Sequence, residues 1–453
     1  MRIDLKWIAV LCVLLVGAVA GSYLLGVKRG SLAKQDAAPP TAASTYTTKP
    51  APPTRPLSAE REAGGNLPAG HPPVDPSTPR IGSSPQPAES PSGQLAGSGL
   101  PDSSSPTKQR PDLRYTHFRV GNRNIKAMLS DGNLIWVGTS GGVIRYDTIS
   151  EEHKLFDVRS GLLSNGVFHL NKLDGKLAVG TYGGGLSLLD PDTQSWENFN
   201  IQHGLADPFV YDTLKASNGD LWIATWSGAN RVRGGRLNDR SSWDLFTVDN
   251  TSGGLPNDWV YGLAEGKDGV IWIATEGGLA RFSNGSWNNW SHKDGLGAPF
   301  EQVKDQIEFT RDPAKLSSHH ARQKAEQGLG DVDIAYNPNY IVSLFVDTDG
   351  VVWSGTWGGG LGRFDGETWR NYTVADGLPA NHVFMLKRGR DGAIWIGTSK
   401  GLTRFRNGEF ETFTTADGLF ADYVFSMATD QQGALWVGSF GGAARILGIL
   451  PKS

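Results

Sequence analysis

Few residues in this chain have the types and spacing that chemistry needs. His382, Glu276 and Asp422 would make an acid/base set if the fold brought them together, because an imidazole and two carboxylates can pass a proton. No sequence spacing links them, so no residue is assigned a catalytic role. His319-His320 stands beside Glu326 and Asp331 and suggests a metal. Adjacent helical residues point about 100° apart, however, which makes joint ligation of one ion awkward. No metal site and no cofactor are assigned. A phosphate-cradling glycine loop, a nucleophile elbow and an HExxH pair are all missing from the sequence. The stronger chemical signal is aromatic. Tyr182, Trp226, Glu276, Trp357 and Phe440 follow the Thr or Ser that ends each repeated apolar unit, and Lys400 lies one residue further on, in the turn between the second and third strands. Phe209, Trp259, Tyr340, His382 and Tyr423 come just before an apolar run, and Asp258 precedes one of them. Flat rings beside carboxamides and a few charges suit a small-molecule, glycan or peptide ligand. The alternative is that these rings only seal a channel.

What must position these residues is a repeat. An apolar-Trp-apolar-Gly-Thr unit centres on residues 136, 178, 222, 272, 353, 395 and 436, with Ala178 in place of tryptophan. The spacings are 42, 44, 50, 81, 42 and 41 residues. A period of about 40–45 is that of a four-stranded propeller blade. Asp-Gly-like pairs precede the units (Asp174-Gly175, Asp268-Gly269, Asp391-Gly392) and are two-residue hairpin signals. An aromatic pair follows, such as Trp369/Tyr372, and then Gly-Leu closes the unit. The expected fold is therefore all-β, a seven-bladed propeller over 113–449. The last repeat lacks an outer strand, and Tyr115-Thr-His-Phe118 has the aromatic spacing of one, so the N-terminal strand should complete that blade. The 81-residue gap reads as an insertion at about 298–339 rather than an eighth blade, since it holds no copy of the unit.

The rest of the chain is read from composition. It has 453 residues and a net charge of −3, and it has no basic stripe, which argues against nucleic acid as a partner. Cys12 is the single cysteine, so neither a disulfide framework nor a thiolate metal site can form. Trp7 to Val27 is apolar over about the ~20 residues that a membrane helix needs. Residues 1–30 are thus a transmembrane anchor, with a signal peptide cleaved at Ala18-Val-Ala20 as the alternative. Residues 31–112 are rich in Pro, Ser, Ala and Gly and read as a disordered linker. The expected place is the cell membrane, single-pass, with the propeller on the extracytoplasmic, periplasmic side; cleavage would make it secreted.

The pattern D-x-x-G-x-[IL]-W-[IV]-G-T-x-x-G-L-x-R-[FY], best kept at 268–282 and 391–405, resembles the two-component regulator propeller repeat. That family builds the extracytoplasmic sensors of bacterial hybrid histidine kinases. The resemblance implies a sensor in signal transduction. With no kinase or receiver before Ser453, relay through a protein partner is expected. Three functions follow: a non-catalytic ligand-binding module, a propeller enzyme of lyase or glycosidase type acting on glycans or cyclic peptides, and an envelope assembly scaffold. The first is favoured. Residues repeated in most blades belong to the blade. The arginines 145, 231, 281, 363, 404 and 445 fall under this rule, whereas Ser399 and Lys400 depart from their copies.

Overall fold

The computed structural model describes residues 113–307, 315, 321, 322, 324, 325 and 327–449. The expected anchor and linker lie outside these residues, as do His319, His320 and Glu326. Among the described residues no helix is long and apolar enough to cross a membrane. The described part of 311–333 falls in one compact unit and the β-structure in another. Within the former, Lys324 Nζ donates to the Val332 carbonyl oxygen, and Lys315 lies 3.3 Å from Asp333.

The β-unit is a propeller. Five antiparallel four-stranded sheets stand separately, their first strands being Val167–Leu173, Val210–Lys215, Val260–Glu265, Asn337–Val346 and Val383–Arg388. The expected seven separate blades are corrected at this point, because the first and last repeats form one seven-stranded sheet. The cause is the 18-residue strand Arg114–Asp131, which runs through both. Its residues 114–119 pair with 442–447, and its residues 125–131 pair with 134–139. Tyr115-Thr-His-Phe118 accordingly forms the outer strand beside Phe440–Leu447, and Phe118 stacks on Trp436 with ring centroids 4.9 Å apart.

The apolar triplets become strands because both of their faces are covered. Every residue of Ile271–Thr275 is buried, as is every residue of Leu221–Thr225 and Ile394–Thr398. Trp136, Trp222, Trp395 and Trp436 are at most 2% exposed. Burying about 200 Å² each, they contribute several kcal/mol apiece. The repeated arginines lie over them: Arg231, Arg281, Arg363 and Arg445 place their guanidinium carbons 5.6 to 6.0 Å from the tryptophan centroid of their own repeat. Arg404 and Arg445 also pair with Asp391 and Asp430 at 2.6 and 3.0 Å. Cation–π contact and local ion pairing account for this recurrence without any ligand.

Adjacent sheets hold each other in two ways. Apolar clusters span each neighbouring pair; one packs Leu186, Phe199 and Leu205 against Val210, Ile223 and Val232. The Gly-Leu closures act as latches. Gly161, Gly204, Gly254, Gly295 and Gly377 lie against the outer-strand aromatic of the next sheet (Trp196, Trp243, Trp287, Trp369 and Phe410), and Gly418 lies against Tyr115. The long N-terminal strand thereby completes the same contact that joins every other pair.

Candidate functional site

The two loop sets picked out in the sequence meet at one mouth. Glu276 N donates to Trp259 O at 3.1 Å, Gly185 N to Pro208 O at 2.8 Å, and Gly360 N to Asn381 O at 3.0 Å. Trp357 and His382 form a β-bridge. The turns at Gly185 and at Trp357 to Gly360 are therefore fixed to the crossing into the next sheet, and the turn at Glu276 to the crossing into its own. The turn threonines serve the turn itself. Thr225, Thr275 and Thr398 Oγ1 donate to the Gly228, Gly278 and Gly401 carbonyl oxygens at 2.7, 2.8 and 3.0 Å.

The mouth aromatics pack on one another. Tyr182, Phe209, Trp226 and Trp259 make an edge-to-face series with successive centroid distances of 4.5, 4.9 and 4.8 Å. Tyr340 stacks on Trp357 at 5.9 Å, and His382 meets Trp357 edge-on at 4.9 Å. Phe209, Trp226, Trp259, Tyr340 and Trp357 are buried, and so is the Glu276 side chain. Tyr182, Tyr423 and Phe440 are half-buried, while Lys400 is exposed. Solvent thus reaches the mouth at its half-buried rings and at Lys400.

His382, Glu276 and Asp422 do not form an acid/base set. His382 is 1% exposed, and its Nε2 shares a hydrogen bond with Ala335 O at 3.0 Å. Burial pulls its pKa down to about 4, which leaves a neutral ring at pH 7. Asp422 accepts from Thr415 N at 2.7 Å. The same cap recurs where Asp258 accepts from Val248 N at 2.8 Å, Asn165 from Val158 N at 2.9 Å and Asn381 from Val374 N at 3.0 Å. These polar residues thus fasten the loop that precedes them.

Sequence reasoning missed the wall of the channel below the mouth. In the first strands a β-bulge falls at Lys126, Phe168, Tyr211, Tyr261, Val342 and Phe384. A bulge re-aims the extra residue. Here the result is a belt of rings: Phe168–Tyr211 at 4.8 Å, Tyr211–Tyr261 at 4.9 Å and Tyr261–Tyr340 at 4.7 Å, with the Lys126 ammonium 4.6 Å from the centre of Phe168. Burial raises the hydroxyl pKa of Tyr211, Tyr261 and Tyr340, and the charge of Glu276 adds to it.

Next along these strands comes a polar layer. His169 Nδ1 lies 3.2 Å from Asp212 Oδ1, and Thr213 N donates to His169 Nε2 at 3.2 Å. Asp212 Oδ2 accepts from Leu263 N at 2.8 Å. Burial pulls the imidazole pKa down and the carboxyl pKa up, so both move toward their neutral forms. The side chains keep 18% and 23% exposure, which opens them to the channel. The signal was legible in principle, because position 169 varies among the repeats as Asp212, Gly262, Ser343, Met385 and Ser426.

A cavity of about 460 Å³ lies elsewhere, at the Asp-Gly-turn ends of two neighbouring sheets. Its charged groups pair with one another, Lys176 with Glu197 and Lys215 with Asp174. Among the described residues no group of three or more His, Cys, Asp or Glu could hold a metal ion.

Residues 254–277, 335–358, 377–400 and 418–441 match the two-component regulator propeller family. No curated protein sequence matches the chain. Among solved structures, it resembles the extracellular domain of a putative hybrid two-component system from B. thetaiotaomicron, with 18% identity and a TM-score of 0.54 over 74% of this chain and 42% of that one. A putative one-component system from the same organism gives 19% identity and a TM-score of 0.52 over 73% of this chain and 39% of that one. The chain therefore spans less than half the length of either extracellular domain. Virginiamycin B lyase from Staphylococcus aureus gives 11% identity and a TM-score of 0.50 over 75% of this chain and 100% of that one. At these identities the likenesses establish the fold alone.

Proposed function

We propose that this chain, whose sheets carry the two-component regulator propeller repeat, is a membrane-tethered extracytoplasmic sensing module. It binds a small molecule, glycan or peptide at the channel mouth and passes the event to a partner protein without converting the ligand. The seven-stranded sheet serves as the first and last blades of a seven-bladed ring, two blades sharing one strand. One observation carries the reading: the two loop sets that vary between repeats converge on one mouth, where Tyr182, Tyr423, Phe440 and Lys400 face solvent on a rigid, interlocked aromatic base. Asp258 and Asp422 are committed to backbone caps, and His382 is buried against a carbonyl. Mass spectrometry after incubating the full chain with a glycan and peptide library would test it. Ligands should be captured unchanged, and Tyr182→Ser and Tyr423→Ser should each weaken capture about tenfold, the loss of an aromatic anchor. Conversion of a captured ligand, or capture indifferent to both substitutions, would sink the proposal.

A further inference from the structure

The cavity at the Asp-Gly-turn ends owes one wall to a feature of a single repeat. The strands Gly228–Val232 and Trp243–Phe246 are joined by residues 233–242, where residues 284–285 and 407–408 make the same join in two other sheets. This excursion accounts for the 50-residue spacing between Trp222 and Trp272. Strand pairing stops at Val232 and Trp243, so the blade itself does not explain the extra residues. The excursion is nonetheless firmly shaped. Gly234 N donates to Asp220 Oδ1 at 2.8 Å, Ser242 Oγ to Arg236 O at 2.8 Å and Trp243 Nε1 to Leu237 O at 3.0 Å. Leu237 packs on the apolar cluster that the two sheets share, and with Leu173, Leu188 and Leu221 it lines the cavity. Gly235 brings the loop backbone close to Lys215, since a Cβ there would stand 2.9 Å from Nζ. Around this apolar floor both signs of charge stand in pairs: Lys215 with Asp174 at 3.0 Å, Arg236 with Asp239 at 3.5 Å, and Lys176 with Glu197. These side chains keep 32% to 77% exposure, so each pair is a weak surface pair that the charge of a ligand can replace. A volume of about 460 Å³ falls within the ~300–1,000 Å³ of small-molecule sites. The strand Leu221–Thr225 starts at this cavity and ends beside Trp226 of the mouth, so the two sites lie at opposite ends of one strand.

We propose that this cavity is a second ligand site and that it takes a free apolar α-amino acid. An apolar floor ringed by both charges selects a zwitterion with an apolar body. The side chain of the ligand lies on the leucines, its carboxylate meets Lys215 and Arg236, and its ammonium meets Asp174 and Asp239. Isothermal titration of the full chain with L-leucine tests this, against isocaproate and isoamylamine, which carry one of the two charges each. L-leucine should bind about tenfold or more tightly than either, the worth of a charge-assisted hydrogen bond. Lys215→Gln should weaken leucine and isocaproate and spare isoamylamine. Asp174→Asn should weaken leucine and isoamylamine and spare isocaproate. Asp174 has φ +48°, a conformation that asparagine tolerates, so the second variant keeps its turn. Replacing residues 233–242 by Asn-Gly, the pair that stands at 407–408, should abolish leucine binding, with folding read by calorimetry. Should that variant not fold, the two point variants decide. The inference is overturned if leucine does not bind at millimolar concentration, if either one-charge analogue binds as tightly, or if both point variants bind leucine as the wild type does. Leucine binding that Tyr182→Ser weakens and the cavity variants do not would overturn it while leaving the mouth reading intact.

Discussion

His382 shows how burial redirects a residue that looks catalytic. Its ring is wedged against Trp357 and hydrogen-bonded to Ala335 O, and its pKa is held near 4. The unfolded chain protonates this histidine near pH 6.5, whereas the folded chain does so only near pH 4. Between those values the unfolded state carries more protons, so stability falls as pH drops from about 6.5 to about 4 and is fully present above that window. The loss amounts to about 2 kcal/mol by pH 5. Urea unfolding of the wild type and His382→Gln at pH 7 and pH 5 checks this: the variant should show a smaller loss by roughly that amount. Equal losses would mean that His382 is not held neutral.

The hairpin turns are fixed by a geometry that the sequence shows only as repeated Gly-Thr. Gly278 has φ +137°, and a Cβ there would stand 2.3 Å from Trp290 O on the outer strand. Gly285 also has positive φ, +81°, but nothing lies within 4 Å of its absent Cβ. Gly285→Ala should therefore cost about 1 kcal/mol for the conformation alone. Gly278→Ala must also displace a strand and should cost about 3 kcal/mol or more. Thermal unfolding of the two variants ranks them, and equal costs would refute the crowding argument. The latch glycines were read from the sequence as closing marks. Their partner, an aromatic ring one sheet onward, is some 35 residues away for Gly161 and Trp196 and about 300 for Gly418 and Tyr115.

For the whole propeller the decisive element is Arg114–Asp131. Its first half covers the strand Phe440–Leu447, whose donors and acceptors would otherwise form an open edge. Deleting residues 113–119 should lower the melting temperature by about 10 °C or more and promote self-association through the bared edge. Light scattering and calorimetry measure both effects. A deletion variant that stays monomeric with an unchanged melting temperature would show that closure does not depend on this strand.

The sequence by itself determined the repeat, its period, the apolar strands and the N-terminal strand that joins the last repeat, because each is written in local periodicity and turn chemistry. It also ranked the mouth loops by their variation. Tertiary structure alone decided that two repeats share one sheet, that Asp258 and Asp422 cap loops, and that His382 is neutral. Those outcomes depend on which groups meet across a closed ring and how much water they keep. Neither quantity is carried by spacing along the chain.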